Sequence, residues 1–225
     1  MQKKLLAAAA AALLCTVAGG AYAQTAGTWY GGIGATRIKP NTSSGDLSPP
    51  SAPGTKIDVG SDTEATLFVG YMLTDHWSLE LPIGFGFKHD LNGAGAINGV
   101  GRIGTVKALP ISLFGQYRFL EPTARFRPYA SAGITYAHFY DETGSATLNA
   151  INPANPPGGN TTFKVDSRWG PSLGAGITAA ITDRWFADLH FSHTWLKTKT
   201  TLSTGQTIET KLDPDTWVLS VGYRF

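Results

Sequence analysis

The residues of this 225-residue chain that could do chemistry are few and far apart. The segment "LHFSHTW", Leu189 to Trp195, sets His190 and Ser192 two positions apart. On a strand both would point to one face, a base beside a hydroxyl nucleophile, as acyl transfer requires. Strand alternation alone also produces two polar residues at that spacing. A second set is charged or amide-bearing: Glu80, Asp188 and His190, with Gln116, Arg118, Arg127 and Arg224. Enclosed charges are costly unless paired, so a shared interior would make these residues a salt-bridged plug. His89, Asp90, His138, Asp141 and Glu142 form a third set, whose spacing matches no metal motif; no metal site is assigned to them. No phosphate loop, redox cysteine pair or zinc motif is present, and no cofactor is expected.

Only one element type can position these residues. "WSLELPIGFGFK", Trp77 to Lys88, places Trp77, Leu79, Leu81, Ile83, Phe85 and Phe87 on one parity, with Ser78, Glu80, Pro82, Gly84, Gly86 and Lys88 on the other. That is the period of a strand with one bulky apolar face. The same alternation recurs at Thr63–Leu73, Lys107–Phe119, Trp169–Ile181, Trp185–Trp195 and Trp217–Phe225, and more weakly at Thr28–Lys39 and Phe126–Tyr140. Eight strands of roughly ten residues suit a tilted membrane crossing, which takes about 9–11, whereas soluble strands peak near five or six. The 27 glycines would be hard to place in a helical fold; they suit a sheet with a tightly packed small-residue face.

The connections sort by length. "TDHW" (Thr74–Trp77), "EPTAR" (Glu121–Arg125) and "TDRW" (Thr182–Trp185) are tight turns. Pro40–Asp62, His89–Gly104, Asp141–Arg168 and Lys197–Thr216 read as long polar loops, the third carrying "NPANPPGGN". Short turns at one end and long loops at the other are the pattern of an all-β, eight-stranded antiparallel transmembrane β-barrel, with periplasmic turns and extracellular loops. Aromatic residues gather at the turn end (Trp77, Phe119, Phe126, Trp185, Tyr223, Phe225) and at the loop end (Phe87, Tyr140, Trp169, Trp195, Trp217), as two membrane interfaces require. The outward face should therefore touch outer-membrane lipids and lipopolysaccharide. The final "WVLSVGYRF" ends on Phe225 with Tyr223 two before it, read as the signal for the barrel assembly machinery.

The first 23 residues, "MQKKLLAAAAAALLCTVAGGAYA", have a basic start, an apolar run and an Ala-Tyr-Ala end. They read as a cleaved secretory signal of a bacterial outer-membrane protein, leaving 24–225 as one barrel domain. Cys15 and the two lysines behind the formal +2 charge leave with it. The mature chain is then near neutral and cysteine-free, with no basic run for nucleic acid.

"GYMLTDHWSLEL", "FKHDL", "GTVKALPISLFGQYRF", "FRPYASAGITYAHFYDE", "RWGPSLGAG", "ITDRWFADL" and "SVGYRF", in this order across Thr63–Phe225, resemble the OmpW family of small outer-membrane proteins. The resemblance implies an apolar channel entered from outside, blocked partway down, and passing small hydrophobic compounds sideways into the membrane; related members aid uptake of alkane-like substrates. On that reading Phe68 and Phe114 line the channel and Trp169 forms the wall or gate of its exit. Glu80, Arg118, Arg127, Asp188, His190 and Arg224 form the plug. Arg168 stands between Asp166-Ser167 and Trp169, where the family usually has the pair directly before the Trp. Two other classes stay open: a structural, adhesive or receptor protein of the surface, and a lipid-modifying enzyme. Outer-membrane lipid deacylases follow His-x-Ser with Asn and place a glutamate about a dozen positions on; His193 and Thr204 stand there instead.

Overall fold

In a computed structural model, residues 24–225 are described. The expected signal segment, residues 1–23, lies outside the described residues. The barrel wall is built from β1 (Trp29–Lys39), β4 (Asp62–Met72), β5 (Trp77–Gly84), β7 (Arg102–Arg118), β8 (Phe126–Gly144), β10 (Arg168–Ala180), β11 (Trp185–Thr194) and β14 (Asp215–Arg224). Each pairs antiparallel with the next, and β14 returns to β1 from Tyr30↔Arg224 to Lys39↔Asp215, so the sheet closes on itself. Closure leaves no free edge in lipid. The fold is an eight-stranded outer-membrane barrel.

The outward parity carries Ile33, Leu79, Leu81, Ile83, Ile111, Leu113, Ile134, Leu173, Ile177, Leu189, Leu219 and Val221, all largely exposed. An exposed apolar belt of this size is foreign to a soluble surface and natural in hydrocarbon. Trp77, Tyr117, Phe119, Phe126 and Trp185 rim it at the turn end, and Trp169, Trp195 and Trp217 at the loop end.

Two expectations change. The long loops are largely folded. β3 (Thr55–Val59), β6 (Phe87–Gly95) and the outer parts of β7 and β8 raise one side of the wall beyond the belt. On the other side β2 (Ser43–Ser44), β9 (Phe163–Val165), β12 (Lys197–Leu202) and β13 (Thr207–Lys211) form a four-stranded sheet, and α1 (Ala146–Ile151) caps the space between. Polar residues on both faces had hidden this extension. The second change concerns Phe87, expected in the outer aromatic girdle. Phe85 is 66% exposed, but Phe87 is 1% exposed and points inward.

The cause is a slip in register. The third wall strand pairs with β7 from Trp77↔Tyr117 to Glu80↔Phe114 and resumes at Phe87↔Ala108. Between these points it spends six residues, Leu81–Gly86, against the five of Leu109–Leu113. One extra residue turns every later side chain to the other face.

Candidate functional site

The barrel interior is layered. Nearest the turns, Arg127 fastens the end: its guanidinium donates to the carbonyls of Asp75 (2.6 Å), Leu120 (3.2 Å) and Gln24 (3.2 Å), and to Gln24 Oε1 (3.2 Å). Arg224 donates to the Asp183 carbonyl (3.1 Å) and lies over the Phe186 ring. Above them Arg118, 1% exposed, lies between the rings of Tyr30 (5.3 Å) and Tyr129 (4.8 Å). It donates to Gln116 Oε1 (2.7 Å), Thr178 Oγ1 (2.8 Å), Ser78 Oγ (3.2 Å) and the Tyr30 hydroxyl (3.2 Å). Tyr30, Met72 and Phe186 fill the remaining cross-section. Glycine makes this possible: a Cβ on Gly70 would fall on the Tyr30 ring, and one on Gly176 on the Tyr129 ring.

The charged residues expected in the plug are all inside, but they are not joined as expected. Asp188 accepts from Thr178 Oγ1 (2.7 Å) and the Tyr129 hydroxyl (2.8 Å), and Glu80 lies against Gln116 and Tyr30. Among the described residues every ion pair lies beyond the membrane belt. Arg118 and Asp188 are thus joined through the Thr178 hydroxyl in a hydrogen-bonded network rather than by a direct salt bridge, with Glu80 beside it. Full desolvation of a direct pair is expensive; here neutral partners satisfy the Arg118 donors, while Gln116 Nε2, Gln24 Nε2 and Arg224 Nε have no hydrogen-bond partner among the described residues.

His190 makes its hydrogen bond with Ser131 Oγ (2.9 Å), not with Ser192, and its ring stacks on Tyr129 with Phe114 edge-on. Asp188 is held by Tyr129 and Thr178, so no carboxylate orients the imidazole toward a serine.

On this floor stands an elongated cavity of about 140 Å³. Phe68 and Phe114 line its lower part, with Glu80, Asp188 and His190 at the bottom; Val59, Phe87, Leu91, Val106 and Phe139 line the upper part. Hydroxyls on the wall bond one another in a chain across four strands: Ser112 to Thr135 (2.8 Å), Thr135 to Ser172 (2.8 Å) and Ser172 to Thr194 (2.7 Å). Satisfied in this way, they leave the lining effectively apolar. His89 also lines the upper wall, donating from Nδ1 to the Gly60 carbonyl (2.7 Å). Burial pushes its imidazole below the ordinary histidine range, more than the Gly60 carbonyl and Asp62 raise it, so the ring is neutral at neutral pH.

Trp169 is not part of this cavity. It is 63% exposed on the outer face and packs on Tyr136 at 4.8 Å. The register Trp169↔Tyr136 sets both on the outward parity, leaving Gly170 and Ser172 inward. Beside the cavity the ladder between β5 and β7 is interrupted at the register slip, where Pro82, Gly84, Pro110 and Ser112 are the lining residues. Proline offers no N–H to a ladder, and here one stands in each of the facing strands. The repeated "LPI" of Leu81–Ile83 and Leu109–Ile111 was the signal for this gap that reading by parity alone passed over.

A second apolar cavity, of about 360 Å³, lies beyond the membrane under α1, lined among others by Leu47, Ile103, Leu148, Phe163 and Leu202. Ile57, Leu91 and Thr200 border both cavities.

Comparisons agree with this architecture. The family model described as "OmpW family" matches residues 26–225. Outer membrane protein W of Vibrio cholerae is 28% identical over 208 residues, 91% of each chain, and Outer membrane protein W of Escherichia coli is 28% identical over the full length of both. The crystal structure of OprG from Pseudomonas aeruginosa superposes with a TM-score of 0.79 at 26% identity, covering 89% of this chain and 97% of that one. The AlkL barrel in lipid bilayers shares the fold, with a TM-score of 0.62 at 21% identity, covering 94% of each chain. A closed eight-strand wall, an apolar belt and a family match over nearly all the described residues lead to one assignment: the chain is an outer-membrane protein and belongs to the OmpW family.

Proposed function

We propose that the barrel takes small apolar molecules from outside through the outer and inner cavities and releases them sideways into the membrane between β5 and β7, acting as a passage rather than as an enzyme. The observation that carries this reading is the register slip beside an apolar cavity whose floor is sealed. A guest that descends past Leu91 meets Phe114 and Phe68, then the network around Arg118, and the unpaired stretch at Pro82 and Pro110 is the way out. Apolar guests lose nothing by desolvation on this path, whereas a charged or strongly polar one loses several kcal/mol.

The test is uptake of a labelled hydrophobic compound by cells carrying the protein. Phe114→Asp places a carboxylate in the narrow part and should lower uptake about tenfold or more at equal protein level. Trp169→Ala, on the outer face and not among the lining residues, should leave uptake within about twofold of the wild type. Uptake unaffected by Phe114→Asp would remove the cavity from the route.

A further inference from the structure

The outer face of the wall carries its cations unevenly. Beyond Trp195 and Trp217 the outward parity holds Arg37 and Lys39 on β1, Lys197 and Lys199 on β12, and Lys211 on β13. Register gathers them: Lys197 stands directly opposite Lys211, Lys39 opposite Asp215, and Arg37 opposite Trp217. Four carboxylates share the area. Asp166, whose amide donates to the Lys199 carbonyl (2.9 Å), is paired with Arg168 (2.8 Å). Asp213 pairs with Lys211 (2.9 Å), Asp215 pairs with His193 (2.7 Å), and Glu209 stands opposite Lys199. Among the described residues no carboxylate forms an ion pair with Arg37, Lys39, Lys197 or Lys199; Arg37 donates only to Ser61 Oγ (3.1 Å). Asp213 offsets Lys211, so the cations of the patch that no ion pair neutralises are Arg37, Lys39, Lys197 and Lys199, three of them on the sector where Lys197 faces Lys211 and Lys39 lies beside it.

The height of the patch says which anion. Lys197 opens β12 two residues after Trp195, and on β1 Lys39 stands opposite Asp215, two residues before Trp217; the tryptophans mark the membrane interface. The patch therefore lies at the headgroup level of the outer leaflet, whose glycolipid presents phosphates on a disaccharide. The opposite sector lacks this surplus. There Lys88 faces Lys107, but Lys107 is paired with Asp141 (2.8 Å), Arg102 is paired with Asp90 (3.4 Å), and Asp62 accepts from the Lys88 amide. Around the ring the walls run β1, β4, β5, β7, β8, β10, β11, β14. The register slip lies between the third and fourth, and the patch centres on the seam of the seventh and eighth, the far side of the barrel.

We propose that Arg37, Lys39, Lys197 and Lys211 form a binding site for the phosphorylated disaccharide headgroup of the outer-leaflet glycolipid, anchoring the barrel on the wall opposite its register slip. The site does not depend on the passage reading, and either can fail alone.

The full chain, refolded in detergent micelles, is titrated with bisphosphorylated lipid A and with its dephosphorylated form, and binding is followed by tryptophan fluorescence. A cation near an anionic membrane surface contributes roughly fivefold. The triple variant Lys39→Gln/Lys197→Gln/Lys211→Gln should therefore bind bisphosphorylated lipid A about a hundredfold more weakly. Lys88→Gln/Lys107→Gln should bind as the wild type does, and the dephosphorylated lipid should bind the wild type poorly. Should the triple variant fail to give a heat-shifted band, Lys197→Gln alone should show a loss of about fivefold. Undiminished binding by the folded variants, an equal loss in the control pair, or equal affinity for the dephosphorylated lipid would each overturn the proposal.

Discussion

Replacing Arg118 with methionine is the most direct test of the plug. The guanidinium donates four hydrogen bonds, to Gln116, Thr178, Ser78 and Tyr30, and lies against two aromatic rings. Summing charged hydrogen bonds at about 1.5–3 kcal/mol each would give up to about 12 kcal/mol. That sum overcounts, because methionine also relieves the burial of a cation while keeping much of the packing volume. The governing quantity is what remains: Asp188 and Glu80 lose the cation that their network relays to. Breaking a buried charge arrangement from one side costs about 3–5 kcal/mol. With a urea slope of about 2 kcal/mol/M, the unfolding midpoint in lipid vesicles should fall by about 2 M. Planar-bilayer recordings should move the other way: little current for the wild type in simple salts, and a larger one for the variant, since the seal toward the periplasmic end is loosened. A midpoint within about 0.5 M of the wild type, with unchanged conductance, would refute the reasoning and place the seal elsewhere.

Gly70→Val drives a side chain into the Tyr30 ring, and should destabilise the barrel by at least about 3 kcal/mol, read in the same urea titration. His89 is buried neutral, so below about pH 6.5 the unfolded chain binds a proton that the folded one refuses. Stability should therefore fall as pH drops from 7 to 5, and the fall should be smaller in His89→Gln; equal pH slopes would contradict the burial of the ring. Phe225→Ser should lower the amount of heat-shifted barrel in cells while the purified chain still refolds in detergent; normal cellular levels would count against the terminal aromatic as an assembly signal.

Much of the wall could be read from the chain because the outward parity is uniform. From Trp77 to Phe85, and again from Trp217 to Tyr223, each second residue is apolar and meets lipid, and period two leaves no other face for it. The failures lie where that period is broken or loses contrast. Phe87 continues the alternation in sequence yet turns inward, because a register slip is a relation between strands that neither strand declares alone. Lys197–Leu202 and Thr207–Lys211 carry one apolar residue each, Leu202 and Ile208, too few to show a period, and so read as loop. The interior charges stood out because a charge on an inward parity is rare. Which partner each would choose was not legible, since Thr178, Ser78 and Gln116 come from three different strands. Parity already puts Trp169 in the outer girdle, where it stands; the channel-lining role came from the family motif, and its register with Tyr136 keeps it off the cavity.

The register slip also bears on speed. Below it β5 and β7 share the rungs from Trp77↔Tyr117 to Glu80↔Phe114; above it the ladder runs from Phe87↔Ala108 to Asn92↔Arg102. Between them the two strands share no rung, so parting the wall there breaks no ladder, and Pro82 and Pro110 have no N–H with which to close one. An exit there, as proposed, would need no ladder hydrogen bond broken to open. Side chains exposed on the outer face there, Leu81, Ile83, Ile111 and Leu113, change rotamer in picoseconds to nanoseconds, whereas a gate made of hydrogen-bonded strands would open in microseconds to milliseconds. On the proposed route, crossing the wall would then not be the slow step, and uptake should follow the arrival of solute at the outer mouth, with the shallow temperature dependence of diffusion.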